Sequence, residues 1–500
     1  MSTSRKLFTH FSIYFISEII VQFSGLISLP IFTRVFTKAE YGELSILMTI
    51  FAIFVNIASL GLRPSIFRFH GIYKQEQPDK EKSLFSTLFL TTLISSLSIA
   101  ISVSFCTLML SKYFKFAVNI MDIVSFSAIL IIIRTITSLI QNHLRILDKP
   151  HYYAVVSITV KYITLGIALF MVLYLKMGLI GLYLAYLFSE GAICTILFII
   201  YRVNMGKKLY YFSKPIFKET FQYGFPLMLM NFTGLINSQG NKFIIAPLMG
   251  SAAVGIYSIG QMLCSYIEAF LSTPLRMAFM PVFMNLWAEK GEKETSDFLS
   301  NFFRIYFFLA IPIMFGLTAI SKNLIIFVAS EKFVESAVVV PYLIVAILLG
   351  GVSFAFYGGL YLAKNTMTMF RISIVMSILN IILNLILITW WGLKGAALAT
   401  LLTSIVSIII GFYYSSKYIK VKFPVFPIFK YVLCGFIMFV IVKLLDRVYK
   451  SEFVILLVQV ITGTIIYLIL IIFWDRSIRE IVKNYYRKVS KSLKPNYIDE

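Results

Sequence analysis

The sequence predicts an all-α polytopic membrane protein of about 14 transmembrane helices, arranged as two parallel six-helix repeats plus two C-terminal helices. The 500-residue chain is 59% hydrophobic and only 14% charged, which is too little polar surface to cover a soluble globule of that size. Apolar runs long enough to cross a bilayer recur from Phe11 to Phe473, and about twenty residues of helix span a hydrocarbon core of roughly 30 Å. Those runs are too long and too evenly apolar for alternating barrel strands. Lipid offers an open backbone no hydrogen-bond partners, so helices follow.

Taken in order, the runs place helices at 11–33, 41–61, 84–109, 118–138, 152–174, 178–201, 220–241, 251–272, 303–320, 338–361, 372–389, 395–414, 431–442 and 453–474. The first follows Arg5 and Lys6 but is too long for a signal-peptide core and has no A-x-A site, so it is expected to be retained. With the N-terminus inside, inner segments hold 31 of the 45 Lys and Arg, outer segments hold 12, and Arg134 and Lys161 fall within spans. That asymmetry places both termini and the loops 62–83, 202–219 and 415–430 in the cytoplasm. The longest outer connection is expected at 321–337. The net charge of +22 is therefore a topology signal, and the basic tail from Arg476 to Lys494 reads as facing anionic membrane lipids. Nucleic acid is not expected as a partner.

Two patterns recur at nearly one separation. Gly42, Ser45 and Ile46 match Gly255, Ser258 and Ile259 at an offset of 213. Gly178-Leu179-x-Gly181-x-x-Leu184-Ala185-x-Leu187 matches Gly392-Leu393-x-Gly395-x-x-Leu398-Ala399-x-Leu401 at an offset of 214. Each match falls six helices apart. Six is even, so the two copies enter the membrane from the same side as parallel repeats. The expected division is an N-terminal six-helix lobe at 1–206, a C-terminal six-helix lobe at 207–418, and two further helices with a basic tail at 419–500. Such a duplication puts substrate sites between the halves.

Enzyme signatures are missing. There is no G-x-x-x-x-G-K-[ST] loop, no H-E-x-x-H and no DxD pair. Cys106, Cys194, Cys264 and Cys434 stand singly in apolar stretches and read as small hydrophobes. His10, His70, His143 and His151 sit at inner helix ends. No metal and no cofactor are expected, and the protein is not expected to be an enzyme.

Charges inside spans are costly enough to be functional hypotheses. Lys161 lies about nine residues into its helix, roughly 13 Å deep at helical rise. Glu18 is at comparable depth in the first helix, and Glu190 is near the middle of 178–201. Two readings are open: the charges neutralise one another and fix packing, or they serve transport, with Lys161 as a substrate contact and Glu18 and Glu190 as ion-coupling groups. Arg134 is expected to snorkel to the inner surface, and Glu268 lies near an inner helix end.

One helical face of 220–241 carries Asn231, Gly234, Ser238 and Asn241, and 372–389 repeats it with Ser373, Ser377, Asn380 and Asn384. These faces either bond helix to helix or line a cavity, with Asn231, Asn380 and Asn384 as substrate contacts. Arg34, Lys242 and Arg276 follow the first, seventh and eighth helices. They are interfacial anchors or, with Lys161, a cationic route for a phosphorylated substrate.

The segment Gly25-Leu-Ile-Ser-Leu-Pro-Ile-Phe-Thr-Arg34-Val-Phe-Thr-Lys-Ala-Glu-Tyr41-Gly42, then Tyr223-Gly224-Phe225-Pro226, Val254-Gly255-Ile256-Tyr257 and Gly392-Leu393-x-Gly395-Ala396-Ala397, resemble the polysaccharide flippases. These are the Wzx-type O-antigen exporters of the multidrug/oligosaccharidyl-lipid/polysaccharide superfamily. The resemblance runs through essentially the whole chain and implies two six-helix lobes around a central cavity. It implies alternating-access movement of an undecaprenyl-pyrophosphate-linked oligosaccharide repeat unit, of O-antigen or related lipopolysaccharide, from the inner to the outer leaflet of a bacterial inner membrane. Coupling to a proton or sodium gradient is implied as well, and so are partners in a glycan polymerase and glycosyltransferases of the same pathway. The competing functions are a lipid II flippase, a cation-coupled multidrug antiporter of the same superfamily, and a membrane-embedded glycosyltransferase or polymerase.

Overall fold

The computed structural model describes residues 3–76, 78–111, 120–146, 150–205, 211–447, 452–475 and 479. Among them there is no strand, and the elements are helices throughout. In order they are α1 Thr3–Val35, α2 Lys38–Ala58, α3 Leu62–Glu76, α4 Pro78–Ser111, α5 Ile120–Ile146, α6 Pro150–Leu169, α7 Gly178–Met205, α8 Lys214–Gln239, α9 Asn241–Met249, α10 Ser251–Ile267, α11 Thr273–Val328, α12 Val340–Phe356, α13 Gly358–Leu362, α14 Thr366–Ser415, α15 Val425–Leu444 and α16 Glu452–Trp474. π-Helical turns at Phe170–Tyr174 and Glu268–Ser272 extend α6 and α10.

Nine helical stretches among the described residues are long and apolar enough to cross a membrane. Two are long enough for two crossings or more: Ser251–Val328 has 78 residues and Thr366–Ser415 has 50. At about 1.5 Å per residue, even the shorter exceeds twice the hydrocarbon thickness. Each is broken where a glycine leaves helical geometry, Gly291 at φ 77° and Gly392 at φ 57°. The breaks separate the expected spans 251–272 from 303–320 and 372–389 from 395–414, and the whole fits an arrangement of about fourteen crossings.

Local chemistry sets the boundaries. At the start of α2 the Thr37 hydroxyl accepts from the Glu40 amide at 3.2 Å, while the Thr37 amide donates to the Glu40 carboxylate at 2.8 Å. This reciprocal cap satisfies two otherwise orphaned donors. Three differences from the expected map have physical causes. The loop 62–83 contains the helix α3, too short and too polar to register as a span. The outer connection expected at 321–337 is largely helical, because the helix persists to Val328 and a 3-10 turn, Glu331–Val338, follows it. The span expected at 431–442 extends to Val425–Leu444.

The repeats have a structural cause. Gly178 and Gly392, equivalent at the 214 offset, both sit at φ 57°, a left-handed conformation that glycine adopts without a Cβ clash. The recurring Gly-Leu-x-Gly signature thus marks one turn used twice. The other repeat is a contact. A Cβ on Gly42 would collide with the Ser251 carbonyl oxygen, and one on Gly255 with the Lys38 carbonyl oxygen. One turn further on, the Ser45 and Ser258 hydroxyls are hydrogen-bonded at 2.7 Å. Residues related by the repeat therefore meet each other, as expected around an approximate two-fold axis.

The chain forms two compact units: Met1–Ser258 with Ser373–Gly392, and Ile259–Ile372 with Leu393–Glu500. In the first, Leu62, Ile66, Leu84, Leu88, Leu139 and Ile140 form a buried core, and smaller clusters surround Phe36 and Phe51. In the second, α15 and α16 pack on the later part of α11 around Ile311, Tyr431, Cys434 and Ile471. Polar ties hold that bundle. Arg304 donates to both Asp475 carboxylate oxygens at 2.5 and 2.7 Å and to the Tyr431 hydroxyl at 3.1 Å, and the Asn323 amide donates to Asp446 at 2.8 Å.

Cys194, Cys264 and Cys434 are buried free thiols. The side chains of Cys106 and His10 lie outside the described ones, as do Lys207, Lys208 and nearly all of the basic tail.

Candidate functional site

The helices α1, α2, α5, α6 and α7 of the first unit enclose a cavity of about 460 Å³. Its lining includes Glu18, Arg134, Lys161 and Glu190 together with Tyr153, Ser157, Gln141 and Thr137. The intramembrane charges that the sequence singled out in the first half are thus brought to one place.

Helix α6 is keyed on two sides. The Tyr162 hydroxyl donates to the Ile20 carbonyl of α1 at 3.0 Å, and the Thr164 hydroxyl is bonded to Ser189 of α7 at 2.7 Å. With the helix held in that rotation, Lys161 lines the cavity as an exposed side chain.

Three of the four charges are committed. The Arg134 Nε donates to Glu190 Oε2 at 2.7 Å, and one terminal nitrogen donates to Oε1 at 2.9 Å. The other terminal nitrogen faces the Met48 sulfur at 3.8 Å. The guanidinium also lies 5.5 Å from the Phe51 ring centre and 5.2 Å from that of Tyr186, within cation–π range. Glu18 accepts from the Tyr153 hydroxyl at 3.1 Å, and the Tyr153 ring in turn carries Arg145 at 5.0 Å. Among the described residues, no hydrogen bond or ion pair engages the Lys161 ammonium. The charges of Glu190, Arg134 and Glu18 act on it only at longer range.

The expectation that Arg134 snorkels to the inner surface is corrected. A carboxylate on the neighbouring helix offers two charge-assisted hydrogen bonds, and the side chain turns to Glu190 instead. Among the described residues Lys161 makes no direct ion pair with Glu190 or Glu18, though both carboxylates act on it at longer range.

The remaining candidates lie elsewhere. Arg34 is exposed near the end of α1 and donates to the Pro30 carbonyl at 2.7 Å. Lys242, in the first turn of α9, is buried with its ammonium 3.4 Å from the Thr49 hydroxyl. Asn231 is exposed on α8. Asn380 and Asn384 are buried at 2% and 0% exposure. The Asn384 amide donates to Asn241 at 3.0 Å, and the Asn241 amide donates to the Tyr257 hydroxyl at 2.7 Å. Ser373 bonds the Thr233 hydroxyl at 2.6 Å, so much of the polar face of 372–389 is spent on helix-to-helix bonding. Arg276 belongs to the second unit, exposed and within Coulombic range of Glu268.

Sequence reasoning missed Tyr153, Ser157, Ser138 and Gln141. The signal was available: Tyr153, Ser157 and Lys161 recur every four residues, and Arg134, Ser138 and Gln141 follow at four and three, one face of each helix.

The family model described as "Polysaccharide biosynthesis protein" matches residues 31–338, more than half of the chain. The chain belongs to the polysaccharide biosynthesis protein family. Within the curated proteins, this family member is 25% identical over 255 residues to the "Probable low-salt glycan biosynthesis flippase Agl15" of Haloferax volcanii, a match covering 50% of this chain and 52% of that protein. The match therefore spans about half the length of that relative. Among solved structures, the polysaccharide biosynthesis protein is similar to "Lipid II flippase MurJ, inward closed conformation" at a TM-score of 0.77 and 17% identity, covering 93% of this chain and 99% of that one. It is also similar to an inward-facing multidrug resistance MATE family transporter of the MOP superfamily, at a TM-score of 0.64 and 12% identity, covering 80% and 94%. At those identities the likeness shows the fold alone. The protein is a multi-pass membrane protein.

Proposed function

We propose that this protein is a flippase for a lipid-linked oligosaccharide, a transporter and not an enzyme. The single observation that carries the reading is the Lys161 ammonium, uncommitted among the described residues, lining a cavity of the first unit beside Glu18, Arg134 and Glu190. A cation held within a span needs water or an anion, and the phosphate linkage of a polyprenyl carrier is the anion that a glycan flippase must handle. Family membership and the flippase named among the relatives support the same reading.

The finer proposal is an undecaprenyl-pyrophosphate-linked repeat unit of O-antigen or a related surface polysaccharide. It crosses from the inner to the outer leaflet of a bacterial inner membrane, and both termini of the protein are cytoplasmic. Lys161 is the principal pyrophosphate contact. Arg34, Lys242, Arg276 and Asn231 act as further contacts along the route, and Asn380 and Asn384 support it through their amide network. Glu18 and Glu190 respond to the coupling ion. Cation antiport is the weaker reading, because both oxygens of Glu190 are engaged by Arg134.

The test measures membrane abundance and glycan export together in cells carrying Lys161→Ala or Lys161→Arg. Normal abundance with export lost in Lys161→Ala and largely kept in Lys161→Arg is the expected result. If Lys161→Ala depletes the protein, and adding Glu18→Ala or Glu190→Ala restores both abundance and export, the lysine is structural and the assignment fails.

A further inference from the structure

Arg134 lines the same cavity as Lys161, but its guanidinium is turned to its neighbours. Its Nε and one terminal nitrogen take the two oxygens of Glu190, its other terminal nitrogen meets the Met48 sulfur, and the Phe51 and Tyr186 rings lie beside the guanidinium. Its charge is thus already matched by a carboxylate, whereas that of Lys161 is not. Its effect falls on Glu190, a carboxylate that lines the same cavity as Lys161 and acts on it electrostatically.

A carboxylate in so little water seeks a cation. Released from Arg134, Glu190 would find Lys161 as the remaining uncommitted cation lining the cavity, and pairing would cancel the charge that a phosphorylated headgroup needs. The geometry points to Arg134 as a positioning residue whose two-pronged hold on Glu190 keeps that carboxylate off Lys161 and leaves the ammonium available to a pyrophosphate. The inference rests on the proposed role of Lys161 and adds what keeps that role open.

The experiment uses the full-length protein in lipid nanodiscs, with farnesyl pyrophosphate as the probe and binding measured by titration calorimetry on folded, monodisperse samples only. Arg134→Gln is expected to weaken binding by about tenfold or more although Lys161 is intact. Arg134→Gln combined with Glu190→Gln is expected to recover binding to within about threefold of the unsubstituted protein, since no unpaired carboxylate remains to capture the lysine. Glu190→Gln alone is expected to bind the probe several-fold more tightly.

A purely structural pair predicts instead that folded Arg134→Gln binds normally, and that result overturns the inference. A double variant as weak as Arg134→Gln also overturns it, since Arg134 would then touch the anion directly. Weaker binding in Glu190→Gln does the same. Should Arg134→Gln fail to fold, Glu190→Gln and the double variant decide the matter. Lys161→Gln separates the two levels: if it leaves binding unchanged, the proposed role of Lys161 fails and this inference with it. If it abolishes binding while Arg134→Gln does not, only the role of Arg134 fails.

Discussion

At the scale of single residues, the cavity and the buried amide network are opposite uses of polar groups in an apolar setting. Among the described residues Lys161 has no hydrogen-bond or ion-pair partner, and the cavity leaves room for one to arrive. Asn384 has no such room: it is fully buried and its amide is spent on Asn241 and Asn380. Replacing Asn384 by Ala removes the donor that bonds the Asn241 and Asn380 oxygens. We expect a loss of about 1–3 kcal/mol in stability, read as a lowered midpoint in thermal unfolding of the purified protein, with binding of a prenyl pyrophosphate per folded molecule little changed. A loss of binding at unchanged stability would instead place Asn384 in the substrate path. The sequence displayed Lys161, Glu18 and Glu190 plainly, because a charge inside an apolar run stands out. It could not display that Glu190 is paired with Arg134, since that depends on which helices are neighbours and how each is rotated. The number of residues from Arg134 to the end of its helix suggested the interface, and the carboxylate across the gap prevailed.

At the scale of helices, periodicity located most of the spans because the hydrophobic signal is summed over about twenty residues. It failed where the signal is short or mixed. The helix α3, which begins at Leu62 and carries Arg63, Arg68 and His70, reads as a polar loop until its neighbours are known. Its Leu62 and Ile66 are nevertheless fully buried in the core of the first unit. The α2–α10 contact invites a direct test. With the Ser45 and Ser258 hydroxyl oxygens 2.7 Å apart, the pair Ser45→Cys and Ser258→Cys is expected to form a disulfide on mild oxidation, visible as a mobility shift under non-reducing conditions. Crosslinking should stop export, and reduction should restore it. Export that continues at full rate in the crosslinked protein would show that these faces need not part during transport. Gly42→Val is expected to lower abundance, because the added side chain meets the Ser251 backbone, which cannot yield as a flexible side chain would.

At the scale of the whole molecule, topology is the main property that the charge pattern predicts and helix packing alone does not fix. The 31-to-12 split of Lys and Arg predicts that a single engineered cysteine near Lys207, or at position 417 in place of lysine, reacts with an impermeant maleimide only after the membrane is opened. Labelling from outside in intact cells would reverse the map. Transport assays in oriented vesicles depend on this outcome, since it fixes which leaflet presents the substrate.

The self-matching contact of Gly42 and Ser45 with Gly255 and Ser258 also bears on ancestry. A surface that pairs with its own copy is what two half-length chains, inserted in the same orientation, use to form a symmetric dimer. Joining the halves end to end would preserve that seam while releasing the copies from having to be identical. The charges show the release. An offset of 213 carries Lys161 onto Ile374, Arg134 onto Ile347 and Glu190 onto Thr403, so none of the ionic lining has a counterpart in the second copy. In a homodimer, every charge placed in the interior would have appeared twice, with twice the desolvation penalty. A fused gene can hold this cluster of charges in one half without repeating it in the other. The Ser45–Ser258 pair joins matching positions of the two copies, whereas the charged cavity draws on one copy alone.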